Sequence, residues 1–119
     1  MGGDKAPEEI VKGAIAASED LSAEIILVGH RDKIAPLLEK AGSSLEIIHA
    51  EEVITNDEQP VNAIRKKKDS SIVKGLKLLK EGKVQAMVSA GSTGALMAGG
   101  LFVLGRIKGI DRPAIATVF

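Results

Sequence analysis

Ile25-Ile26-Leu27-Val28-Gly29 is the stretch that decides the fold. Four consecutive apolar residues end on a glycine, with no polar alternation. So short an apolar run marks a strand covered on both faces, as in a parallel sheet. On its N-terminal side Ile10, Ala14, Ala17 and Leu21 recur at helical spacing, with Val11 and Ile15 beside them. Pro7 suits the first turn of that helix, and Asp4 or Lys5 lies close to its start. On the C-terminal side Asp32 is placed to cap a second helix with Ile34, Leu37, Leu38 and Ala41 on its apolar face and Gly42 at its end.

Further along, Leu45 to His49 predicts another strand and residues 50–59 a polar loop. Pro60 opens a short helix carrying Val61 and Ile64. Ser70 or Asp69 caps the next helix, with Ile72, Val73, Leu76 and Leu79 inward and Gly82 as its stop. Val84 to Ser89 predicts a strand. The helix after Gly94 is apolar nearly all round (Leu96, Met97, Leu101, Phe102, Val103, Leu104), which predicts burial. Ala114 to Phe119 predicts a final strand after the Arg112-Pro113 turn. Strand and helix alternate, so the expected class is α/β, a parallel sheet with helices on both faces. The chain starts in a loop and stops inside an expected strand. The expectation is therefore the N-terminal portion, residues 1–119, of one larger α/β domain.

Composition narrows the functions. The 119 residues suit one core, and 45% of them are hydrophobic, as in globular proteins. Sixteen Lys and Arg balance sixteen Asp and Glu, which argues against a bulk nucleic-acid binder. With no cysteine there is no disulfide, thiolate zinc site or cysteine nucleophile here, which fits a cytoplasmic protein. Residues 84–105 carry no charge and are long enough to cross a bilayer. Ser89-Ala90-Gly91-Ser92-Thr93-Gly94 in their first half reads as a turn, however, so a strand, a turn and a buried helix are expected instead. Met1-Gly2-Gly3-Asp4 has no basic, then apolar, signal-peptide pattern.

Ligands of open parallel sheets bind beyond the carboxyl ends of the strands, where helices begin and their free N–H groups favour anions. Three segments are expected at that edge: Met1 to Pro7, Gly29 to Asp32, and Ser89 to Gly94. In the last, Gly91 and Gly94 permit close backbone approach, while Ser92 and Thr93 add hydroxyls. A phosphate or a developing oxyanion would be served there. The segment is neither a Walker A loop nor Gly-x-Ser-x-Gly. The plainer reading is a tight turn capped by Ser92 or Thr93. Gly2 and Gly3 allow unusual backbone angles, and Asp4 can hold a hydroxyl, a cation or a backbone N–H, or simply cap a helix. Arg65-Lys66-Lys67-Lys68 is either a solvated face or an anion-facing patch, with Arg65 able to grip phosphate in bidentate fashion and Ser70 and Ser71 adding donors. His30 and His49 fall near strand ends, read as exposed loop residues, and have no metal-ligand spacing.

These motifs in series resemble bacterial phosphate acyltransferase: Met1-Gly2-Gly3-Asp4 with Ala6-Pro7, Pro60-Val61-x-Ala63-Ile64-Arg65 running into Ser70-Ser71, Ser89-Ala90-Gly91-x-Thr93-Gly94-Ala95-Leu96-Met97, and Gly109-Ile110-Asp111-Arg112-Pro113. The likeness covers essentially the whole chain. It implies a three-layer α/β/α fold similar to isocitrate and isopropylmalate dehydrogenases, and a first strand and a large C-terminal part outside this chain. It implies transfer of a fatty acyl group from acyl carrier protein to inorganic phosphate for phospholipid synthesis, by a homodimer in peripheral contact with the inner face of the membrane. Position 92 is Ser where the family usually carries Asn. On this likeness the Gly91–Gly94 backbone and Thr93 hold phosphate or the oxyanion, with Ser92, Gly94, Gly2, Gly3 and Ser71 in the binding wall. Arg65 balances charge and Asp4 orients a neighbouring group. No metal or cofactor is expected. Two other classes remain open: a phosphotransacetylase-like or dehydrogenase-like enzyme of the same fold, and a non-catalytic binding module. The lack of a Gly-x-Gly-x-x-Gly turn weighs against the usual dinucleotide site.

Overall fold

Strand β1, Ile26–Gly29, pairs in parallel with β2, Glu46–His49, in the register Ile26 with Glu46 through Gly29 with His49. The computed structural model describes residues 1–116. Around the pair lie α1 (Glu8–Asp20), α2 (Arg31–Ala41), α3 (Pro60–Lys66), α4 (Ser71–Lys80) and α5 (Thr93–Gly99), the last running on through a π turn, Gly100–Leu104. Parallel strands need a crossover, and α2 supplies it. The α/β class follows directly. Among the described residues no helix is long and apolar enough to cross a membrane.

Two apolar clusters make the core. In the first, Val11 of α1 and Ile34 and Leu38 of α2 close over Leu27 and Ile47 of the strands. In the second, Ile54, Ala63, Ile64, Ile72, Val73, Leu76 and Ala95 join α3, α4 and α5. Helix α4 also touches β1, and it links the two clusters. Its buried Ser70 is its N-cap, the hydroxyl accepting from the Val73 N–H at 3.4 Å. Helix α2 ends on Gly42 at φ 67°, a left-handed conformation that favours glycine.

Several local expectations are corrected. Helix α1 starts at Glu8 after Pro7, without a side-chain cap, so Asp4 is no N-cap. Asp32 lies within the first turn of α2, whose N-cap position is His30. Residues 84–89 form no strand among the described residues. Their apolar content serves side-chain packing instead: a Cβ on Gly75 of α4 would lie 2.8 Å from Met87 Cε, while Val88 stands 97% exposed. Residues 114–116 form no strand either, and the rest of that expected element lies outside the described residues. The helix after Gly94 is not buried all round. Ala95 and Gly99 are buried, whereas Phe102 and Leu104 are exposed. Small residues four apart let α5 approach α3 and α4, with Leu96 and Val103 packed partly buried against the same cluster.

That close approach is testable. A Cβ on Gly99 would stand 2.4 Å from Leu76 Cδ1 and 3.2 Å from Ile64 Cδ1. Gly99→Val should therefore cost about 1–3 kcal/mol of stability by overpacking. Denaturant unfolding checks this, and an unchanged midpoint would remove α5 from the core.

Candidate functional site

The ends of three segments meet where glycine alone leaves room. A Cβ on Gly2 would come within 2.4 Å of the Ile54 carbonyl oxygen, and one on Gly3 within 3.0 Å of the Ala90 carbonyl oxygen. Gly91 in turn stands against the Gly2 backbone, 3.7 Å from its ideal Cβ position to the Gly2 carbonyl carbon. A Cβ on Gly94 would meet Pro60 Cγ at 2.8 Å, so the starts of α3 and α5 abut. Asp4 is exposed, and Asn56 Nδ2 reaches its carboxylate at 3.5 Å. Ser71, the first residue of α4, lines a cleft of about 730 Å³ together with Gly3, Ser89, Ala90 and Gly91.

The turn before α5 is ordered from within. Ser89 Oγ accepts from the Gly91 N–H at 3.2 Å. Ser92, only 7% exposed, is the N-cap, its hydroxyl accepting from the Ala95 N–H at 3.2 Å. Leu96 N–H bonds to the Ser92 carbonyl oxygen. The first N–H groups of a helix have no partner inside it. The cap satisfies Ala95 and leaves the N–H groups of Thr93 and Gly94, and the exposed Thr93 hydroxyl, without a hydrogen bond among the described residues. The two readings of this turn thus divide between neighbours: Ser92 is the cap, and Thr93 is not.

Gly2, Gly3, Asp4, Gly91, Ser92, Thr93 and Gly94 fall at this junction, and Ser71 joins it through the cleft. Arg65 stands apart. It lies in the last turn of α3, five residues beyond Pro60 or about 7–8 Å of helical rise, with its guanidinium 5.3 Å from the centre of the Phe102 ring.

A wall that sequence reasoning passed over is the loop 53–58. Glu58 accepts from the Thr55 N–H at 2.8 Å and hydroxyl at 3.1 Å, and from Lys67 Nζ at 2.8 Å. The Lys67 bond, then the Thr55 backbone bond, hold the Glu58 carboxyl below its ordinary range. Only the polarity of residues 50–59 was legible beforehand. The pairing of Glu58 with Lys67 nine residues on had no local signal.

The histidines do come together, at the ends of β1 and β2. Their rings meet edge to face at 5.2 Å, and His30 and His49 Nε2 lie 3.4 and 2.9 Å from the two oxygens of Glu51. His49, and then His30, hold the Glu51 carboxyl low. The Arg31 N–H donates to His49 Nδ1 at 3.1 Å, which assigns the ring proton to Nε2 and leaves His49 no open basic nitrogen. Among the described residues no cluster is suited to a metal ion.

A parallel α/β protein in which the first residues of the chain, the loop after β2 and two helix starts meet in a glycine-lined junction is the class that fold and site define. The chain belongs to the fatty acid synthesis protein family, which it matches over residues 1–119. It is 62% identical over 122 residues to a phosphate acyltransferase of Heliobacterium modesticaldum, covering 99% of this chain and 36% of that protein. It is 56% identical over 120 residues to the phosphate acyltransferase of Desulforamulus reducens, with 99% and 36% covered. With that of Clostridioides difficile it shares 52% identity over 124 residues, covering 98% of this chain and 35% of that protein. The chain thus spans a little over a third of the length of these curated relatives.

The assignment of the cap predicts a split between neighbours. Ser92→Ala should cost about 1 kcal/mol of stability through the lost cap. Thr93→Val should change stability by no more than about 0.5 kcal/mol, as an exposed substitution away from any bond. Thermal unfolding of the two variants checks it, and a reversed order would hand the cap back to Thr93.

Proposed function

We propose that this chain forms part of an acyltransferase that moves a fatty acyl group from acyl carrier protein to inorganic phosphate, giving acyl phosphate for phospholipid synthesis. The observation that carries the reading is the turn at residues 90–94, where two helix-start N–H groups and the Thr93 hydroxyl stay unbonded beside glycine backbone. The names of the relatives supply the reaction class.

Phosphate is already an anionic nucleophile, so the site must position it and balance its charge rather than deprotonate it. The Thr93 and Gly94 N–H groups and the Thr93 hydroxyl bind phosphate or the oxyanion that develops on the thioester carbonyl. A phosphate oxygen forms the new C–O bond, the carbonyl pair moves to oxygen, and on collapse the C–S bond breaks. The electron pair leaves on the thiolate of the carrier protein. No acyl-enzyme and no cofactor enter the step. Asp4 and Asn56 orient groups at its edge, and Ser71 adds a hydroxyl from the cleft. Arg65 joins only by leaving Phe102, or acts on the approach of anionic substrates from where it stands.

The same reading places residues 1–119 in one larger three-layer α/β/α domain similar to isocitrate and isopropylmalate dehydrogenases. It makes the working enzyme a cytoplasmic homodimer in peripheral contact with the inner face of the membrane.

The test is phosphate-dependent loss of acyl carrier protein thioester, measured on the full-length protein with an acyl coenzyme A thioester as a second arm. Turnover should require phosphate and favour the carrier-protein thioester. Thr93→Val should slow it by about 10²-fold, as other lost oxyanion donors do. A preference for coenzyme A would shift the reading to a phosphotransacetylase-like enzyme, and a normal rate in Thr93→Val would end the role of this turn.

A further inference from the structure

One member of the basic run Arg65-Lys66-Lys67-Lys68 behaves unlike the others. Lys66 and Lys68 are exposed, and Arg65 lies over Phe102. Lys67 instead is the C-cap residue of α3, at φ −90° and ψ 70°, where the chain leaves the helix. Its side chain turns back along the protein and is 31% exposed. The ammonium donates to the Val53 carbonyl oxygen at 2.6 Å and to Glu58 Oε2 at 2.8 Å. Glu58 in turn takes both the N–H and the hydroxyl of Thr55. The loop 53–58 is therefore closed on itself by Glu58 and tied at both ends to Lys67.

That loop is the wall against which the glycine junction is built. Ile54, 2% exposed, sets its carbonyl against Gly2, and Asn56 reaches Asp4. We propose that Lys67 is a positioning residue of the site, an ion-pair latch that fixes the loop 53–58 and through it the backbone of Gly2–Asp4. The inference rests on the reading of that junction as a phosphate-handling site. Lys67 acts through the loop and touches no substrate. The paired charges sit in a half-buried position, where two acceptors and two further donors make the geometry specific.

Two opposite charges give a test that separates a latch from a through-space effect. In the full-length protein, Lys67→Met removes a positive charge and Glu58→Gln a negative one. If these charges acted on phosphate directly, the KM for phosphate would move in opposite directions. A latch moves it the same way in both, upward by about tenfold, with kcat changed far less, because uniform binding is lost rather than a transition-state contact. The double variant should cost little more than either single one, as expected for groups acting as a unit. Lys67→Arg should restore most of the loss, and Lys66→Met should change nothing. Hydrogen exchange at residues 53–58 and at Gly2–Asp4 should quicken in both latch variants.

Opposite KM shifts, or faster exchange with unchanged KM, would overturn the positioning role. So would unchanged exchange at residues 53–58. If the wild-type protein shows no phosphate-dependent thioester loss, the functional reading fails by itself. Exchange at Gly2–Asp4 then decides the latch alone, and no change there ends it.

Discussion

Backbone packs against backbone at the carboxyl edge of this fold, and the rest of the structure is arranged around that contact. Gly2 lies on the Ile54 carbonyl, Gly3 on the Ala90 carbonyl, and Gly94 on the ring of Pro60. None of these approaches tolerates a Cβ without a shift of main chain or of a stiff ring. They bring the first residues of the chain, the loop after β2 and the turn before α5 within reach of one another. The same junction holds the turn whose Thr93 and Gly94 N–H groups have no hydrogen-bond partner among the described residues, and free N–H groups at a helix start favour an anion.

Regular structure near that edge was legible in the sequence. The apolar run at Ile25–Val28 gave the parallel pair, and Ser70, Pro60, Gly42 and Gly82 punctuated the helices where the chain puts them. Legibility failed where one pattern has two physical uses. Val84–Ser89 is apolar enough for a strand, but Met87 uses that apolarity to pack under Gly75, and a ladder needs a partner that sequence periodicity does not report. The helix after Gly94 is apolar all round in sequence, yet only Ala95 and Gly99 are buried, because two small residues set how closely the helix can approach. Asp32 had the composition of a cap and lies in the first turn of the helix instead, two residues past the N-cap position.

Of the candidate site, the glycines and hydroxyls were visible as motifs, while their division of labour was not. Ser92 and Thr93 are equivalent caps on paper, and the choice between them depends on backbone geometry that a sequence does not print. Arg65 was legible as an anion binder by type, but its partner Phe102 lies thirty-seven positions away by the numbering and is an aromatic face rather than an anion. The tie between Lys67 and Glu58 was hidden within a run of like charges, where every member looks solvated until the helix ends and one of them turns back.

The central claim is that the junction of Gly2–Asp4 with residues 90–94 binds phosphate through backbone. Titrating inorganic phosphate into isotopically labelled full-length protein, and following its amide resonances, tests that claim most directly. The account predicts saturable shifts led by the amides of Thr93 and Gly94, with smaller shifts at Gly2, Gly3 and Gly91 and none at the His30–His49 pair. Saturable shifts centred elsewhere, or no saturable shift at residues 91–94, would contradict it.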